Sequence, residues 1–308
     1  YHQMINTIMK LLIQLILVLS INTISADNHS ESAEKTKLED LVFCFVGDTG
    51  ELTDTQSLVA KSLAQSDCSM IWHTGDIIYP SGIEDANDPE FDNKFLTPFK
   101  EILNKDIPFY LTLGNHDYKK DPSGYIEIAN KNPLINYPNN FYVEEFGPVC
   151  FFALDTSIFD KLYFFYKRSG QINWLNTAVD SLKEKCQFSI GVAHHPLFSS
   201  GDREKASPQL ATFLEEHVFG VLDMYITGHN HVLADEGDFL GTTQLISATG
   251  SLPGGSPEQA PENKFNVETP GFLKLRFVNP NEANYEFISS VDGASIWTNS
   301  KTGAGLRP

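Results

Sequence analysis

The 308-residue sequence predicts an α/β fold, most simply arranged as one large domain. Short apolar runs of strand length recur along the chain and alternate with segments whose apolar residues have helical spacing. Five of these runs end directly in clusters of polar side chains, most of which begin with glycine. Sites in open α/β sheets form at the carboxyl ends of strands, so the pattern predicts one site built from several strand ends.

The alternation begins at residues 41–46, a continuous apolar run typical of a buried strand. A helix is predicted at 53–65, with Thr53 or Asp54 as its N-cap. Further strands are predicted at 70–73, 109–113, 149–154, 188–193 and 224–227, and the C-terminal part adds 272–277, 285–290 and 296–298. Apolar spacing predicts a helix through 172–182, and Ser207-Pro208 predicts the start of another that runs to His217. Residues 252–270 are expected to form a long irregular loop.

The first 26 residues resemble a secretory signal peptide with a few leader residues. Lys10 gives a positive flank, residues 11–19 are apolar apart from Gln14, and Ala26 offers a small residue for cleavage. The alternative is a membrane anchor, but the apolar stretch is short for about 30 Å of hydrocarbon. We therefore expect residues 27–40 to form a flexible tail, residues 41–308 to form the folded domain, and the mature protein to be secreted or to lie in a lysosome- or vacuole-like lumen.

Four cysteines in such a chain permit two disulfides with three possible pairings. Cys44 and Cys150 lie inside apolar runs, where a buried free thiol is equally plausible. We expect one bridge or none, and the sequence leaves the pair open. Asn28 begins the Asn-X-Ser sequon of the chain and predicts a glycoprotein.

The formal net charge of −18 argues against nucleic acid as a partner and against electrostatic docking on anionic membranes. It should also repel anionic substrates, so a site that handles phosphate needs its own positive charge, which bound cations would supply. We expect a monomer without stable membrane insertion.

The polar clusters at the strand ends have one kind of chemistry. They are Gly47-Asp48, Gly75-Asp76-Ile77-Ile78-Tyr79, Gly114-Asn115-His116-Asp117, His194-His195-Pro196 and Gly228-His229-Asn230-His231. Carboxylates, an amide oxygen, a phenol and imidazoles suit iron, zinc or manganese better than calcium. A single Gly-Asp after a strand is common turn chemistry, but five such clusters, each after a strand, favour a metal site. His73 lies within a strand and is interpreted as a core or supporting histidine.

This order of motifs resembles the calcineurin-like metallophosphoesterases, and the tyrosine three residues after the second aspartate resembles the purple acid phosphatases, in particular the small tartrate-resistant animal type. The resemblance covers residues 41–308. It implies a four-layer α/β/β/α sandwich of two mixed sheets and an acid phosphatase acting on phosphate monoesters or phosphoproteins. Thr49 departs from the pattern, because the small animal enzymes usually carry tryptophan there, and we expect a changed pocket lining.

The resemblance also implies a binuclear centre of Fe³⁺ with Fe²⁺, Zn²⁺ or Mn²⁺. The first metal would be bound by Asp48, Tyr79 and His231, the second by Asn115, His194 and His229, and both by the bridging Asp76. His116 would be the catalytic histidine. The His-X-Pro pattern selects His194 as ligand over His195, which would face the substrate or pack against the loop. Asp117 is expected to orient a neighbouring imidazole.

Two other functions are compatible with much of this pattern. One is a phosphodiesterase or nucleotide pyrophosphatase of the same superfamily, since a fold alone does not determine a substrate; Tyr79 argues against it. The other is a non-catalytic scaffold, a role of members that have lost ligands. Every ligand position is filled here, which argues against a scaffold.

Overall fold

The computed structural model describes residues 37–159, 165–200, 206–254 and 263–307. The predicted signal peptide, most of the predicted tail and the Asn28 sequon lie outside the described residues. The strands in the described part are β1 Val42–Val46, β2 Met70–Thr74, β3 Phe109–Thr112, β4 Ile135–Asn136, β5 Tyr142–Phe146, β6 Val149–Ala153, β7 Phe188–Val192, β8 Met224–Thr227, β9 Leu233–Phe239, β10 Thr242–Ser247, β11 Phe265–Val267, β12 Gly271–Asn279, β13 Glu282–Ser289 and β14 Ser295–Thr302.

These strands form two mixed sheets with matching designs. The first has the order β14-β13-β12-β1-β2-β3-β4, and the second has the order β11-β9-β10-β8-β7-β6-β5. In the first sheet β1 to β4 are parallel and β12 to β14 are antiparallel additions. In the second sheet β6, β7, β8 and β10 pair in parallel, and β5, β9 and β11 are added through antiparallel pairing. Both sheets therefore bring several carboxyl strand ends to one edge.

The two sheets pack face to face through an aromatic core. The Phe43 and Phe151 rings lie 4.9 Å apart between centroids, and Trp72 stacks on Phe151 at 5.1 Å. The Ser247 hydroxyl donates a 2.7 Å hydrogen bond to the Phe45 carbonyl oxygen, so polar contacts also cross between the sheets. Fully buried rings of this size contribute strongly to the stability of the sandwich.

Four helices of at least eight residues accompany the sheets in the described part: α1 Asp54–Gln65, α2 Ser123–Lys131, α3 Phe165–Leu182 and α4 Pro208–His217. The predicted caps of α1 and α4 are confirmed. The Thr53 hydroxyl accepts a hydrogen bond from the Gln56 amide, and the Ser207 hydroxyl accepts one from the Leu210 amide. With these helices the predicted α/β/β/α arrangement is confirmed.

The expectation of one disulfide or none is wrong, because the structure contains two. Cys44 is bonded to Cys68, and Cys150 is bonded to Cys186. In each pair one cysteine lies in a strand and the other lies two residues before the next parallel strand. The partners thus lie side by side only after the strands have paired, with Cα atoms 5.8 and 5.7 Å apart. The sequence does not contain that information.

Two predicted boundaries are also corrected. Leu38–Asp40 forms a short 3₁₀ helix and Leu38 packs against the core, so the ordered chain includes the end of the predicted tail. The predicted irregular loop at 252–270 contains β11, which pairs with β9. No helix among the described residues is long and apolar enough to cross a membrane.

Candidate metal centre

The polar clusters predicted from the sequence converge at the strand ends. Asp48 follows β1, Asp76 follows β2, and Asn115 lies shortly after β3. His194 follows β7, and His229 and His231 follow β8. The donor atoms therefore reach one location from both sheets.

Four of these residues have an unusual backbone conformation. Seven non-glycine residues in the described part have positive φ, and four of the seven are predicted ligands: Asp48 (58°), Asp76 (53°), His229 (72°) and His231 (49°). Positive φ is unfavourable for residues with a Cβ atom, and it is concentrated at functional sites because the surrounding structure enforces it. The backbone thus supports the same set of residues as the side-chain chemistry.

The glycines before these residues allow the loops to approach closely. A Cβ atom on Gly114 would lie 2.1 Å from Asp76 Oδ1, and one on Gly75, whose φ is +94°, would lie 2.6 Å from His194 Nδ1. Neither position can accept a side chain without displacing a predicted ligand.

One group of donor atoms consists of Asp48, Tyr79 and His231. The Tyr79 hydroxyl donates to Asp48 Oδ1 at 3.0 Å and lies 3.1 Å from His231 Nε2. His231 Nε2 lies 3.3 Å from the same Asp48 oxygen. The three atoms form a compact triangle, which is the first predicted ligand set.

The second group consists of Asn115, His194 and His229. His194 Nε2 lies 3.1 Å from Asn115 Oδ1 and 3.2 Å from His229 Nδ1. His194 Nδ1 donates to the Thr74 carbonyl oxygen at 2.9 Å, which leaves the lone pair on Nε2 directed into the site. This group is the second predicted ligand set.

Asp76 lies beside both groups. Its Oδ2 atom is 3.4 Å from His194 Nε2, and Asp48, Asp76 and His194 each offer a ligand atom within 4.8 Å of the others. Oδ2 is buried and accepts no hydrogen bond among the described residues. A buried carboxylate oxygen without a hydrogen bond is costly unless a cation binds it.

The donor set therefore fits metal ions. Ligands bound at about 2.0–2.2 Å to one ion lie roughly 3.0–3.5 Å from each other, and the observed separations within the two groups are 3.0–3.3 Å. Oxygen and nitrogen donors in this mixture suit iron, zinc or manganese.

Protein charges in the site also favour a cation. Burial opposes ionisation of Asp76, yet His194 holds the pKa of this carboxyl well below its usual range. Burial likewise opposes protonation of His194, but Asp76 outweighs it and raises the pKa of His194 to about 9. Burial and the charges of Asp48 and Asp76 raise the pKa of Tyr79. A metal ion would take the place of the proton on His194 and would offset the charge of the carboxylates beside it.

His116 is half-buried beside the donor set without joining either group. Its backbone amide donates to Asp76 Oδ1 at 2.8 Å, and its ring lies 4.3 Å from the Tyr79 ring between centroids. Nδ1 donates to the Pro80 carbonyl oxygen at 2.7 Å, so Nε2 is the ring nitrogen left to act on a substrate. This geometry suits the predicted catalytic histidine.

His195 is only 6% exposed. Its Nδ1 atom lies 2.9 Å from the Thr156 hydroxyl, its backbone amide donates to the same oxygen at 3.1 Å, and its ring lies 4.5 Å from the His229 ring. These contacts favour packing against the loop, the second of the two predicted roles. Substrate contact by His195 stays a prediction.

His73 is fully buried and supports the site, in agreement with the prediction. Its Nδ1 atom accepts from the Gly75 amide at 3.2 Å, and its Nε2 atom lies 2.9 Å from the Thr49 hydroxyl. Thr49 is itself fully buried. Its hydroxyl contacts His73, and the expected change of the pocket lining at this position stays a prediction.

Asp117 has a different role from the predicted one. Its carboxyl group accepts from the amides of Ile77, Ile78 and Gly114 and from the Tyr125 hydroxyl, at 2.7–3.2 Å. None of its contacts with described residues involves an imidazole. Asp117 therefore ties together the backbones of the loops that carry Asp76 and Asn115.

Sequence reasoning missed two groups next to His116. The Pro80 carbonyl oxygen orients its ring, and the Lys119 ammonium lies 3.0 Å from its Nδ1 atom. A backbone carbonyl gives no sequence signal. The only sequence signal for Lys119 is a basic residue two positions after the Gly-Asn-His-Asp motif.

Comparison with known families agrees with this geometry. The model of the calcineurin-like phosphoesterase family matches residues 26–233, so the chain belongs to that family. Purple acid phosphatase 7 of Arabidopsis thaliana is 26% identical over 267 residues, which cover 78% of this chain and 80% of that protein. Tartrate-resistant acid phosphatase type 5 of Homo sapiens is 25% identical over 273 residues, covering 77% and 79%. The resemblance predicted from the sequence is confirmed, and these relatives are named for the predicted enzyme class.

Solved structures show the same fold. Purple acid phosphatase PPD1 from yellow lupin (Lupinus luteus) seeds superposes with a TM-score of 0.65 at 16% identity, covering 84% of this chain and 53% of that one. GAP50, described as the anchor in the inner membrane complex of Plasmodium, superposes with a TM-score of 0.75 at 23% identity, covering 87% and 89%. At these identities the likeness concerns the fold alone.

Proposed function

We propose that this chain is an acid phosphatase that hydrolyses phosphate monoesters at a binuclear metal centre of the purple acid phosphatase type. One observation carries the proposal: two compact groups of donor atoms, one containing the Tyr79 phenol, lie beside the Asp76 carboxylate, whose Oδ2 atom accepts no hydrogen bond from described residues. Relatives that are named as acid phosphatases support the same activity.

Asp48, Tyr79 and His231 would hold a ferric iron, and Asn115, His194 and His229 would hold a ferrous iron, zinc or manganese, with Asp76 between the two. When bound, such a pair of cations acidifies water and offsets the charge of the phosphoryl oxygens. His116, oriented by the Pro80 carbonyl oxygen, would donate a proton from Nε2 to the leaving oxygen of the ester. Asp117 would fix the positions of the two loops that carry Asp76 and Asn115, because it accepts hydrogen bonds from backbone amides of both.

The assay that tests the activity uses the metal-loaded protein with 4-nitrophenyl phosphate, bis(4-nitrophenyl) phosphate and a nucleoside triphosphate. Preferred hydrolysis of the monoester at acid pH supports the proposal. Preference for the diester or the triphosphate would favour the phosphodiesterase or pyrophosphatase alternative. An inactive protein that still binds its metals would favour a scaffold.

The metal assignment is tested by colour. A phenolate bound to ferric iron transfers charge to the metal and absorbs visible light, so the oxidised, iron-loaded protein should be purple. Tyr79→Phe should lose the band while Asp48, Asp76 and His231 still bind iron more weakly. Identical spectra of the two proteins in active, iron-replete preparations would refute a Tyr79–iron bond.

We further propose export through removal of residues 1–26. The two disulfides, Cys44–Cys68 and Cys150–Cys186, support an oxidising compartment such as the secretory pathway. N-terminal sequencing of the protein recovered from the medium or lumen of expressing eukaryotic cells should begin near Asp27. Recovery of the uncleaved chain from the cytosol would contradict export.

A further inference from the structure

Lys119 lies directly beside the histidine proposed to protonate the leaving group. It ends the 3₁₀ turn Asp117–Lys119, and its amide donates to the His116 carbonyl oxygen at 3.1 Å. Its ammonium donates to the Pro80 carbonyl oxygen at 3.1 Å and lies 3.0 and 3.4 Å from Nδ1 and Nε2 of His116. The Pro80 oxygen thus holds both the imidazole and the ammonium.

The charge of Lys119 is not neutralised by a carboxylate in the described part of the chain. Its neighbour Lys120, by contrast, lies 3.1 Å from Glu84 and 3.8 Å from Asp88. In a chain of net charge −18, an exposed ammonium that has no acidic partner among the described residues creates a local attraction for anions at the edge of the site.

The position of Lys119 determines which part of a substrate it can meet. His116 contacts both the predicted ligand Tyr79 and Lys119, so the ammonium is one side chain removed from the proposed metal donors. A phosphoryl group would lie over the donors, and the leaving oxygen would face His116. The rest of the leaving group would then lie within reach of the Lys119 ammonium.

We propose that Lys119 is a specificity residue that favours phosphate monoesters whose leaving group carries a second anionic group, a carboxylate or a phosphate. This inference rests on the proposed function. The ammonium would form a charge-assisted hydrogen bond with that second group. Because Lys119 is exposed, solvent screens the pair, and we expect a preference between about three- and tenfold in kcat/KM.

The experiment compares 4-carboxyphenyl phosphate with 4-nitrophenyl phosphate in the metal-loaded wild type and in three variants. The quantity measured is the ratio of the two kcat/KM values, in which the intrinsic reactivity of each ester cancels between variants. Lys119→Gln should lower the ratio about three- to tenfold, and Lys119→Arg should retain it. The matched control Lys120→Gln should leave the ratio unchanged, since that ammonium already has acidic partners. Added salt should lower the wild-type ratio toward that of Lys119→Gln.

The outcomes separate the two proposals. If the wild type hydrolyses both esters and Lys119→Gln has an unchanged ratio, the specificity role is refuted and the proposed function stands. An equal loss with both esters also refutes it, because Lys119 would then act only through His116. If the wild type hydrolyses neither ester, both proposals fail.

Discussion

The two sheets contribute different chemistry to the same site. The first sheet carries the proposed oxygen donors, which are Asp48, Asp76, Tyr79 and Asn115. The second sheet carries the proposed nitrogen donors, which are His194, His229 and His231. The carboxylates therefore lie on one side of the site, and the imidazoles proposed as ligands lie on the other. Neither sheet carries a complete ligand group.

The difference explains why the packing of the sheets matters for metal binding. Asp48 and Tyr79 of the first sheet need His231 of the second, and Asn115 of the first needs His194 and His229 of the second. The His229 amide also donates to Asp48 Oδ2 at 3.0 Å, which joins the two sheets at the site directly. Formation of the site is thus coupled to correct stacking of the sandwich.

The largest effect is expected at the carboxylate that serves both groups. Asp76→Ala should reduce activity to background and lower the content of both metal ions, because the proposed bridge is lost. Metal analysis of the purified variant and a phosphatase assay measure the two effects. A variant that retains two metal ions per chain would show that Asp76 does not bridge.

His116 belongs to the first sheet's loops but is not a proposed ligand. His116→Ala should keep both metal ions and lower kcat about 10²–10⁴-fold, the usual contribution of general acid–base catalysis. The metal content is the deciding measurement. Loss of metal in parallel with activity would indicate that His116 is a ligand. The first sheet would then contribute a nitrogen donor as well as oxygen donors.

Within the nitrogen-donating sheet, adjacent histidines are expected to differ. His194→Ala should lose one of the two metal ions, since its Nε2 atom faces Asn115 and His229. His195→Ala should retain both ions, because the Nδ1 atom of His195 contacts Thr156 and not a proposed ligand set. Its effect should instead be a change in KM or kcat. The opposite pattern of metal loss would assign the ligand role to His195.

The disulfides offer a comparison in which the two sheets should behave alike. They enclose 24 and 36 residues by sequence separation. Loop-closure entropy predicts that replacing either pair with alanines costs about 3 kcal/mol of unfolding free energy, with a difference of only a few tenths. Denaturant unfolding of the two double variants measures this. A loss of unfolding free energy in only one of the two double variants would mean that differences in packing outweigh the loop-closure entropy of the unfolded chain.

The smallest effect concerns a carboxylate of the second sheet that is not a donor. Asp155 follows β6, and burial raises its pKa to about 7 from an ordinary value of 3.8. Folding favours the neutral form of the Asp155 carboxyl group. Its contribution to the free energy of unfolding is therefore fully present below about pH 4 and is lost as the pH rises through 7. Asp155→Asn should flatten this decline between pH 4 and pH 7.

Unfolding free energies of the metal-loaded wild type and variant, measured between pH 4 and pH 8, test this prediction. Parallel curves would show that Asp155 ionises without a cost. The Tyr118 hydroxyl donates to the Asp155 carboxyl group, so Tyr118→Phe provides a control that keeps the carboxyl group itself.

Prediction from the sequence was most successful for local features. The strand predicted at 41–46 is observed at Val42–Val46. The helix predicted to start at Ser207-Pro208 is observed and ends at His217. Such features follow from periodicity and capping within a few residues. The proposed donor residues could be named for the same reason, since each lies in a short motif at a strand end.

Features that join distant parts of the chain were missed. Both disulfides link residues that lie side by side only when parallel strands pair. Asp117 was expected to hold an imidazole and instead binds the amides of Ile77, Ile78 and Gly114, which are backbone groups without a sequence signal.

The sequence by itself determined the alternation of strands and helices, the caps of two helices and the chemical types of the donors, because these depend on neighbouring residues. The grouping of the proposed donors was implied only by the family resemblance, and their contacts with each other depend on the tertiary structure. Asp48 and the amide of His229 are 181 residues apart and meet at 3.0 Å because two sheets stack with their strand ends at one edge. That stacking is a property of the whole aromatic core, whose contacts no local pattern specifies.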